Sequence, residues 1–311
     1  METPNMFVVL ALLLVAALTC INYNHFTATA NWPTSLKLHA GNTGVVIVGI
    51  FKNEAEGLEE WCKHYLEMQG VKHLYLIDNN STDLWQAAVA PYRERLTVFS
   101  RPRAHAQSLH YNSILPMLKQ KHLDDWVFVL DIDEYLYPSG LGTIASVVQT
   151  NVYFQTHAHI SIRWKMFGSS GKVLQPPSIR CSFVNRMDEN NKEHSFSNHE
   201  SIAVKSGVAI RYLQHFNIHS HVYWNPDFTH IVSPEGHQRF LGEDELASGI
   251  FQLNHYPIQS LDWFTRIKMT RGSASSTRFD HVRDVNYFAK YDHNELEDRA
   301  LANQIDCYNS V

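Results

Sequence analysis

Short apolar runs alternating with segments of helical spacing constrain this chain more than any other feature. Val45-Val46-Ile47-Val48-Gly49-Ile50 is rich in β-branched residues and suits a strand buried on both faces. Leu58, Trp61, Cys62, Tyr65 and Leu66 follow at helical spacing, and Gly70 supplies a C-terminal stop. A second strand over Val71–Ile77 ends in Asp78-Asn79-Asn80-Ser81-Thr82-Asp83, a polar loop where Ser81, Thr82 or Asp83 caps a short helix ended by Pro91. Leu96–Phe99 reads as a third strand. Residues 104–122 read as a helix that Pro116 should kink or split. Trp126–Leu130, a fourth strand, runs into Asp131-Ile132-Asp133-Glu134. The alternation predicts a parallel, doubly wound α/β sheet. Ligands of such sheets bind beyond the carboxyl ends of the strands, where Asp78 and Asp131 both fall.

Beyond residue 150 the pattern changes. His159–Met166 predicts a strand leading into the flexible loop Phe167-Gly168-Ser169-Ser170-Gly171. Ser201–Val204 and Val208–Leu213 are two further strand-like pieces, and Trp263–Arg271 reads as a helix. No internal repeat occurs.

The 311 residues are 44% hydrophobic and 18% charged, which fits a packed globular enzyme rather than a disordered tail. The net charge of −5, with no basic block, sets a nucleic-acid groove aside. Cys20 lies within an apolar N-terminal run, leaving Cys62, Cys181 and Cys307 too scattered for a disulfide framework. Cys62 sits among apolar helix positions, and a Cys181–Cys307 bridge is open in an oxidising compartment. Met6–Ile21 carries no charge and spans about 24 Å as a helix, short of a ~30 Å hydrocarbon core. It reads as a single-pass signal-anchor or as a signal peptide cleaved near Ala28-Thr29-Ala30, which would leave the chain secreted or lumenal. No basic n-region precedes it, and Lys37 weakly opposes a lumenal catalytic domain. The expected organisation is therefore an anchor or signal over 1–21, a stem over 22–43 and a catalytic domain over 44–311. That domain divides into a nucleotide-binding half (44–150) and an acceptor-side half (151–311).

The strongest local signal is the apolar strand delivering Asp131 and Asp133 at its end. Hard divalent cations such as Mg²⁺ and Mn²⁺ take oxygen ligands and share their shell with substrate phosphates, so a cation held here could bridge a diphosphate. A solvated acidic turn is the alternative. Phe51-Lys52-Asn53-Glu54, after the first strand, can hydrogen-bond a nucleotide; the alternative is an ordinary N-cap at Asn53 with Glu54 on the helix dipole. Asp78 with Asn79 and Asn80 is a third polar cluster, whose alternative is an Asx-turn. Asn79 and Asn80 each begin a glycosylation sequon, and a loop facing a substrate pocket should carry no glycan.

Lys52-Asn53-Glu54, the Leu76–Asp83 loop and Leu130-Asp131-Ile132-Asp133-Glu134 together resemble family-2-type glycosyltransferases, and more closely the family 92 (DUF23-like) branch. Trp164-Lys165-Met166-Phe167-Gly168-Ser169-Ser170-Gly171, the His219/His221 pair, and Asn254–Ser260 with Lys268 and Arg271-Gly272 extend the resemblance over residues 45–275. The resemblance implies a GT-A (Rossmann-like) fold with a mostly parallel central sheet, a nucleotide-sugar donor of the UDP class, and Mn²⁺ or Mg²⁺. By position it implies donor binding by Lys52, Asn53, Glu54, Asp78 and Asn80. Asp131 would touch ribose or metal, Asp133 would bind the metal, and His255 would complete its shell or bind diphosphate. Lys268 and Arg271, about one turn apart, would put two cations on the leaving diphosphate; a solvated helix face is the alternative. Trp164, Phe167 and Gly168 suit a sugar platform on the acceptor side, with core packing the first reading for Phe167. Relatives often show two adjacent histidines where this chain has His219-Ser220-His221, which leaves that pair without an assigned role.

The expected chemistry is direct displacement with inversion onto a glycan or glycoconjugate hydroxyl, a carboxylate taking the acceptor proton. Glu200 and Asp227 are the base candidates, and nothing in the sequence selects between them. Two rivals stand beside this reading. Nineteen histidines make a zinc-dependent hydrolase conceivable, though no H-E-x-x-H occurs. A non-catalytic GT-A-like module binding glycan or nucleotide is the other.

Overall fold

The computed structural model describes residues 43–188, 204–225, 230–232, 249–305 and 307. The Met6–Ile21 run, with the N-terminal helix expected there, lies outside them. Among the described residues no helix is long and apolar enough to cross a membrane.

In chain order the strands are β1 (Val45–Phe51), β2 (His73–Asp78), β3 (Leu96–Ser100), β4 (Trp126–Val129), β5 (Glu134–Pro138), β6 (His159–Met166) and β7 (Asn185–Arg186), then β8 (Val204–Ala209), β9 (Leu213–His215), β10 (Val222–Asn225), β11 (His230–Val232), β12 (Phe251–His255) and β13 (Leu296–Glu297). The helices are α1 (Ala55–Lys63), α2 (Trp85–Val89), α3 (Gln107–Lys121), α4 (Ile144–Thr150), α5 (Tyr153–Thr156), α6 (Ile179–Ser182), α7 (Leu261–Arg266), α8 (Val285–Tyr291) and α9 (Ala300–Gln304).

Eight strands form one sheet in the order β3-β2-β1-β4-β8-β6-β12-β5. Every residue of β1 and of β4 is buried, as strands between two helical layers require. The pairings β3·β2, β2·β1, β1·β4 and β6·β12 are parallel, while β4·β8, β8·β6 and β12·β5 are antiparallel. The expected mostly parallel sheet is therefore present, with β8 and β5 reversed. A three-stranded sheet β11-β10-β9 and a two-stranded sheet β13-β7 flank it.

Several boundaries differ from the sequence expectation. Helix α3 runs unbroken through Pro116, with Tyr111, Ile114, Leu115 and Leu118 buried along it, so tertiary burial outweighs the proline's local cost. The strand expected over Val208–Leu213 instead covers Val204–Ala209, and Ile210–Tyr212 turn the chain into β9. Gly207 allows this: a Cβ there would lie 2.4 Å from the Phe128 ring on β4. The helix expected over Trp263–Arg271 stops at Arg266 and resumes as a 3₁₀ turn, Lys268–Thr270. Helix α1 passes into a π-helical turn, His64–Met68, and Gly70 follows at φ +67°, a conformation glycine adopts without Cβ strain.

The π turn buries His64. Its Nε2–H donates to Leu136 O at 2.8 Å, so Nδ1 is left to accept from Arg180 at 3.2 Å. Arg180 also pairs with Glu60, and its neighbour Cys181 is disulfide-bonded to Cys307, which ties the chain's end to α6. Burial, reinforced by Arg180, pushes the His64 pKa down to about 3; burial with Lys205 does the same to His221. Both are neutral when folded but carry an ordinary value of 6.5 when unfolded. The unfolded chain therefore binds the extra protons, and stability that is complete above pH 6.5 is lost as pH falls from there toward 3. Between pH 7 and 5 each histidine costs about 2 kcal/mol, from a limiting slope of about 1.4 kcal/mol per pH unit. Urea unfolding at the two pH values should show the loss, and His64→Gln should remove about 2 kcal/mol of it. An unchanged slope in that variant would exclude His64 as a source.

Candidate functional site

The carboxyl ends of β1 and β4 open onto a cleft of about 250 Å³. Its acidic wall is the turn between β4 and β5, which the sequence shapes from beneath. Trp61 Nε1 donates to the carbonyls of Asp131 and Glu134, both at 3.0 Å, and Tyr65 OH donates to Glu134 O at 2.9 Å. Asp131 N–H donates to Glu134 Oε2 at 2.9 Å, so the turn closes on its own carboxylate. The apolar face of α1 is thus also the clamp that aims Asp131 and Asp133 into the cleft.

Each acid meets a buried lysine. Lys205 Nζ lies 2.7 Å from Asp131 Oδ2 and 3.5 Å from Glu134 Oε1; Lys268 Nζ lies 2.6 Å from Asp133 Oδ2. Burial alone would raise the Asp133 carboxyl, but Lys268 and His255 outweigh it and hold it well below the usual carboxylate range. Glu134, fully buried beside two other carboxylates, goes well above it despite Lys205. Lys205 is pushed up: its burial is overcome by Asp131 and Glu134. On the opposite wall Arg271 reaches both Glu54 and the carbonyl of Lys52. Burial raises the Glu54 carboxyl, Arg271 opposes this, and Asp133 adds to it.

Beside Asp133, β12 delivers His255, with Nε2 3.6 Å from Asp133 Oδ1. The Trp164 ring on β6 packs on His255 at 4.4 Å and meets His219 edge-on at 5.5 Å. His219 Nδ1 lies 3.2 Å from the carbonyl of Val204, so Nδ1 carries the proton and Nε2 is the free base. Burial and the nearby Lys205 push the His219 pKa down to about 4, leaving the ring neutral at pH 7.

Asp131, Asp133, Lys52, Glu54, Lys268 and Arg271 all line this one cleft, together with Trp164 and His255. Asn53 and Asp78 do not line it. Asn53 stands at φ +55°, donates its N–H to Ser81 Oγ at 3.0 Å and accepts Thr82 N–H at 2.7 Å, locking the loops after β1 and β2 together. Asp78 accepts Ser81 N–H at 2.8 Å in an Asx-turn. Asn79 does line the cleft, its amide held by the carbonyls of Arg101 and Arg103, whereas Asn80 is exposed at the loop tip. Phe167 is fully buried against Tyr256, and a Cβ on Gly168 would sit 2.2 Å from the carbonyl of His293, so both are packing positions. Glu200 and Asp227 lie outside the described residues.

Lys205, Arg283 and the Gly272–Ser275 segment line or support the cleft without having been foreseen. Lys205 had one signal: a lysine inside an apolar, β-branched run must be paired if that run is buried.

The residues present fit a divalent cation. One ligand atom from each of Asp133, Glu134 and His255 falls within 4.8 Å of the others, while Asp131 is not part of that group. His255 Nδ1 is buried with no hydrogen-bond partner among the described residues. Two carboxylates and one imidazole suit a hard or borderline ion such as Mn²⁺.

An acid pair at the end of a central strand thus shares one cleft with clustered cations in an α/β fold. The family model of glycosyltransferase family 92 matches residues 49–299, and the chain belongs to that family. Solved structures similar to it include residues 1–349 of S. aureus TarS in complex with UDP-GlcNAc, at 16% identity and TM-score 0.32, covering 43% of this chain and 37% of that one. The mannosyltransferase PcManGT from Pyrobaculum calidifontis, in complex with GDP-Man and Mn²⁺, aligns at 15% identity and TM-score 0.31 over 55% and 46%. The alignments thus span less than two thirds of either relative. No curated protein matches the chain.

Proposed function

We propose that the cleft binds a nucleotide sugar of the UDP class and transfers its sugar, with inversion, to a hydroxyl of a glycan or glycoconjugate. One observation carries this reading: Asp131 and Asp133 share a single cleft with Lys268, Arg271 and Arg283. A nucleotide diphosphate is the common ligand chemistry that calls for acids and cations side by side, the acids through a bridging metal. Asp133, Glu134 and His255 would hold Mn²⁺ or Mg²⁺, which when bound supplies positive charge to the diphosphate oxygens. Lys268, Arg271 and Arg283 would bind the same oxygens and stabilise the charge that grows on them as the sugar leaves. Lys52, Glu54 and Asn79 line the donor end; Asn53 and Asp78 would act through the locked loops rather than by contact. Trp164 offers an aromatic face to the sugar. The chain is further proposed to be membrane-tethered through Met6–Ile21 with its catalytic domain in an oxidising compartment, a placement that the Cys181–Cys307 disulfide supports.

The test is a panel of nucleotide sugars incubated with the full chain, with Mn²⁺, with Mg²⁺ and with chelator. Nucleotide release from a UDP-sugar that needs the cation, and that rises when acceptor glycans are added, is the expected result. Release of nucleotide from none of the donors, under any cation, would leave a binding module instead.

A further inference from the structure

Lys268 and a divalent cation make competing claims on one carboxylate. The Lys268 ammonium lies 2.6 Å from Asp133 Oδ2, with both side chains buried. Asp133 is at the same time a member of the group that could hold a metal ion, with Glu134 and His255. Two cations on one buried carboxylate repel strongly even when each takes a different oxygen, and burial weakens the screening that would relieve it. The neighbouring cation is not free to step aside, because Arg271 is held by Glu54 and by the Lys52 carbonyl. Lys268 is better placed to move. It begins the 3₁₀ turn after α7, and its Nζ sits 5.7 Å from the centroid of the Trp263 ring. A lysine head can swing about its four-carbon stem while the stem stays packed. The cleft beside it, where Arg271 and Arg283 also stand, is where the proposed diphosphate would lie.

We propose that Lys268 is the resident counter-cation of Asp133 in the nucleotide-free protein, and that it hands this carboxylate to the divalent cation as its ammonium passes to the diphosphate. The inference rests on the donor reading above and adds an order of events to it. A cation arriving alone must expel the ammonium into a cleft already crowded with positive charge, so it binds weakly. A cation arriving with a nucleotide diphosphate leaves the ammonium a new anionic partner. Cation and nucleotide therefore bind cooperatively, and by linkage each strengthens the other by the same factor. The arrangement also keeps Asp133 neutralised between turnovers, when an unpaired buried carboxylate would be destabilising.

Mn²⁺ binding to the full chain is measured by the electron paramagnetic resonance signal of the free ion, with and without UDP, at pH 7. Lys268→Met keeps the stem and removes the charge; Lys268→Arg keeps the charge. Relative to the parent protein, Lys268→Met should bind Mn²⁺ about tenfold more tightly in the absence of UDP. UDP should tighten Mn²⁺ binding by about tenfold or more in the parent and in Lys268→Arg, but by much less in Lys268→Met, within the usual range of coupling between sites. Thermal denaturation supplies a second readout that does not depend on turnover: Mn²⁺ alone should raise the Tm of Lys268→Met more than that of the parent. If Lys268→Met is unfolded without metal, recovery of a cooperative transition on adding Mn²⁺ supports the proposal and no recovery overturns it. Mn²⁺ binding no tighter in Lys268→Met than in the parent also overturns it. Should the parent bind no UDP with any cation, the donor reading fails too; UDP binding with unaltered Mn²⁺ affinity in Lys268→Met sinks this inference alone.

Discussion

Asp133→Asn is expected to lower kcat/KM for the proposed nucleotide-sugar donor by about 10²–10³-fold, the usual cost of removing one preorganised charge from an active site. The substitution is nearly isosteric, so the cleft keeps its shape and loses the negative charge between Lys268 and His255. It also leaves the Lys268 ammonium buried without its counter-charge, which costs about 3–5 kcal/mol of stability. The two effects separate in a double variant. Lys268→Met added to Asp133→Asn removes the stranded ammonium and should recover most of the stability while activity stays low. Steady-state kinetics and urea unfolding on the three proteins check this. Near-normal kcat/KM in Asp133→Asn would mean that the acid pair is not part of the chemistry.

The second large effect is expected at Lys205, a residue with no chemistry-bearing motif around it. Its side chain is fully buried in β8 and contacts the carboxylates of both Asp131 and Glu134. Lys205→Met leaves Asp131 without its ammonium. The Asp131 side chain is 32% exposed and can be partly rehydrated, so the cost falls toward the low end of about 3–5 kcal/mol. For a domain of this size that corresponds to a Tm lower by about 6–12 °C. Donor kcat/KM should fall as well, because Asp131 is then free to turn away from the cleft. A Tm within 2 °C of the parent, by calorimetry at pH 7, would show that Asp131 and Glu134 do not depend on this lysine.

Lys205 also marks where sequence reading stops. The strands β1, β2, β3 and β4 are legible because each is a short apolar run bounded by polar residues, the pattern that burial on both faces imposes on β1 and β4. β8 reads in the sequence as two pieces, Ser201–Val204 and Val208–Leu213, because Lys205, Ser206 and Gly207 break its apolar run. These positions are polar or small for reasons of partner and space: Lys205 answers two carboxylates, and Gly207 makes room for Phe128. β5 and β12 went unseen for a similar reason. β5 opens on Glu134, part of the acidic turn, and β12 closes on Asn254 and His255, part of the site.

The candidate site divides the same way. The acid pair, Lys52 and Glu54 after β1, and Lys268 and Arg271 are marked by residue type at strand ends or by spacing, and all line the cleft. Asn53 and Asp78 carry the same kind of signal, but their side chains are consumed in joining two loops.

By itself, the sequence determined the α/β class, the strand ends that carry the site and the family, because burial on both faces and clustered polar residues are local properties of a chain. Only the tertiary structure decided which charges pair, that Glu134 rather than Asp131 joins Asp133 and His255, and that two buried lysines neutralise the acids. Those pairings join residues up to 217 positions apart. They depend on the distance between side chains and on their removal from water, neither of which a linear pattern records.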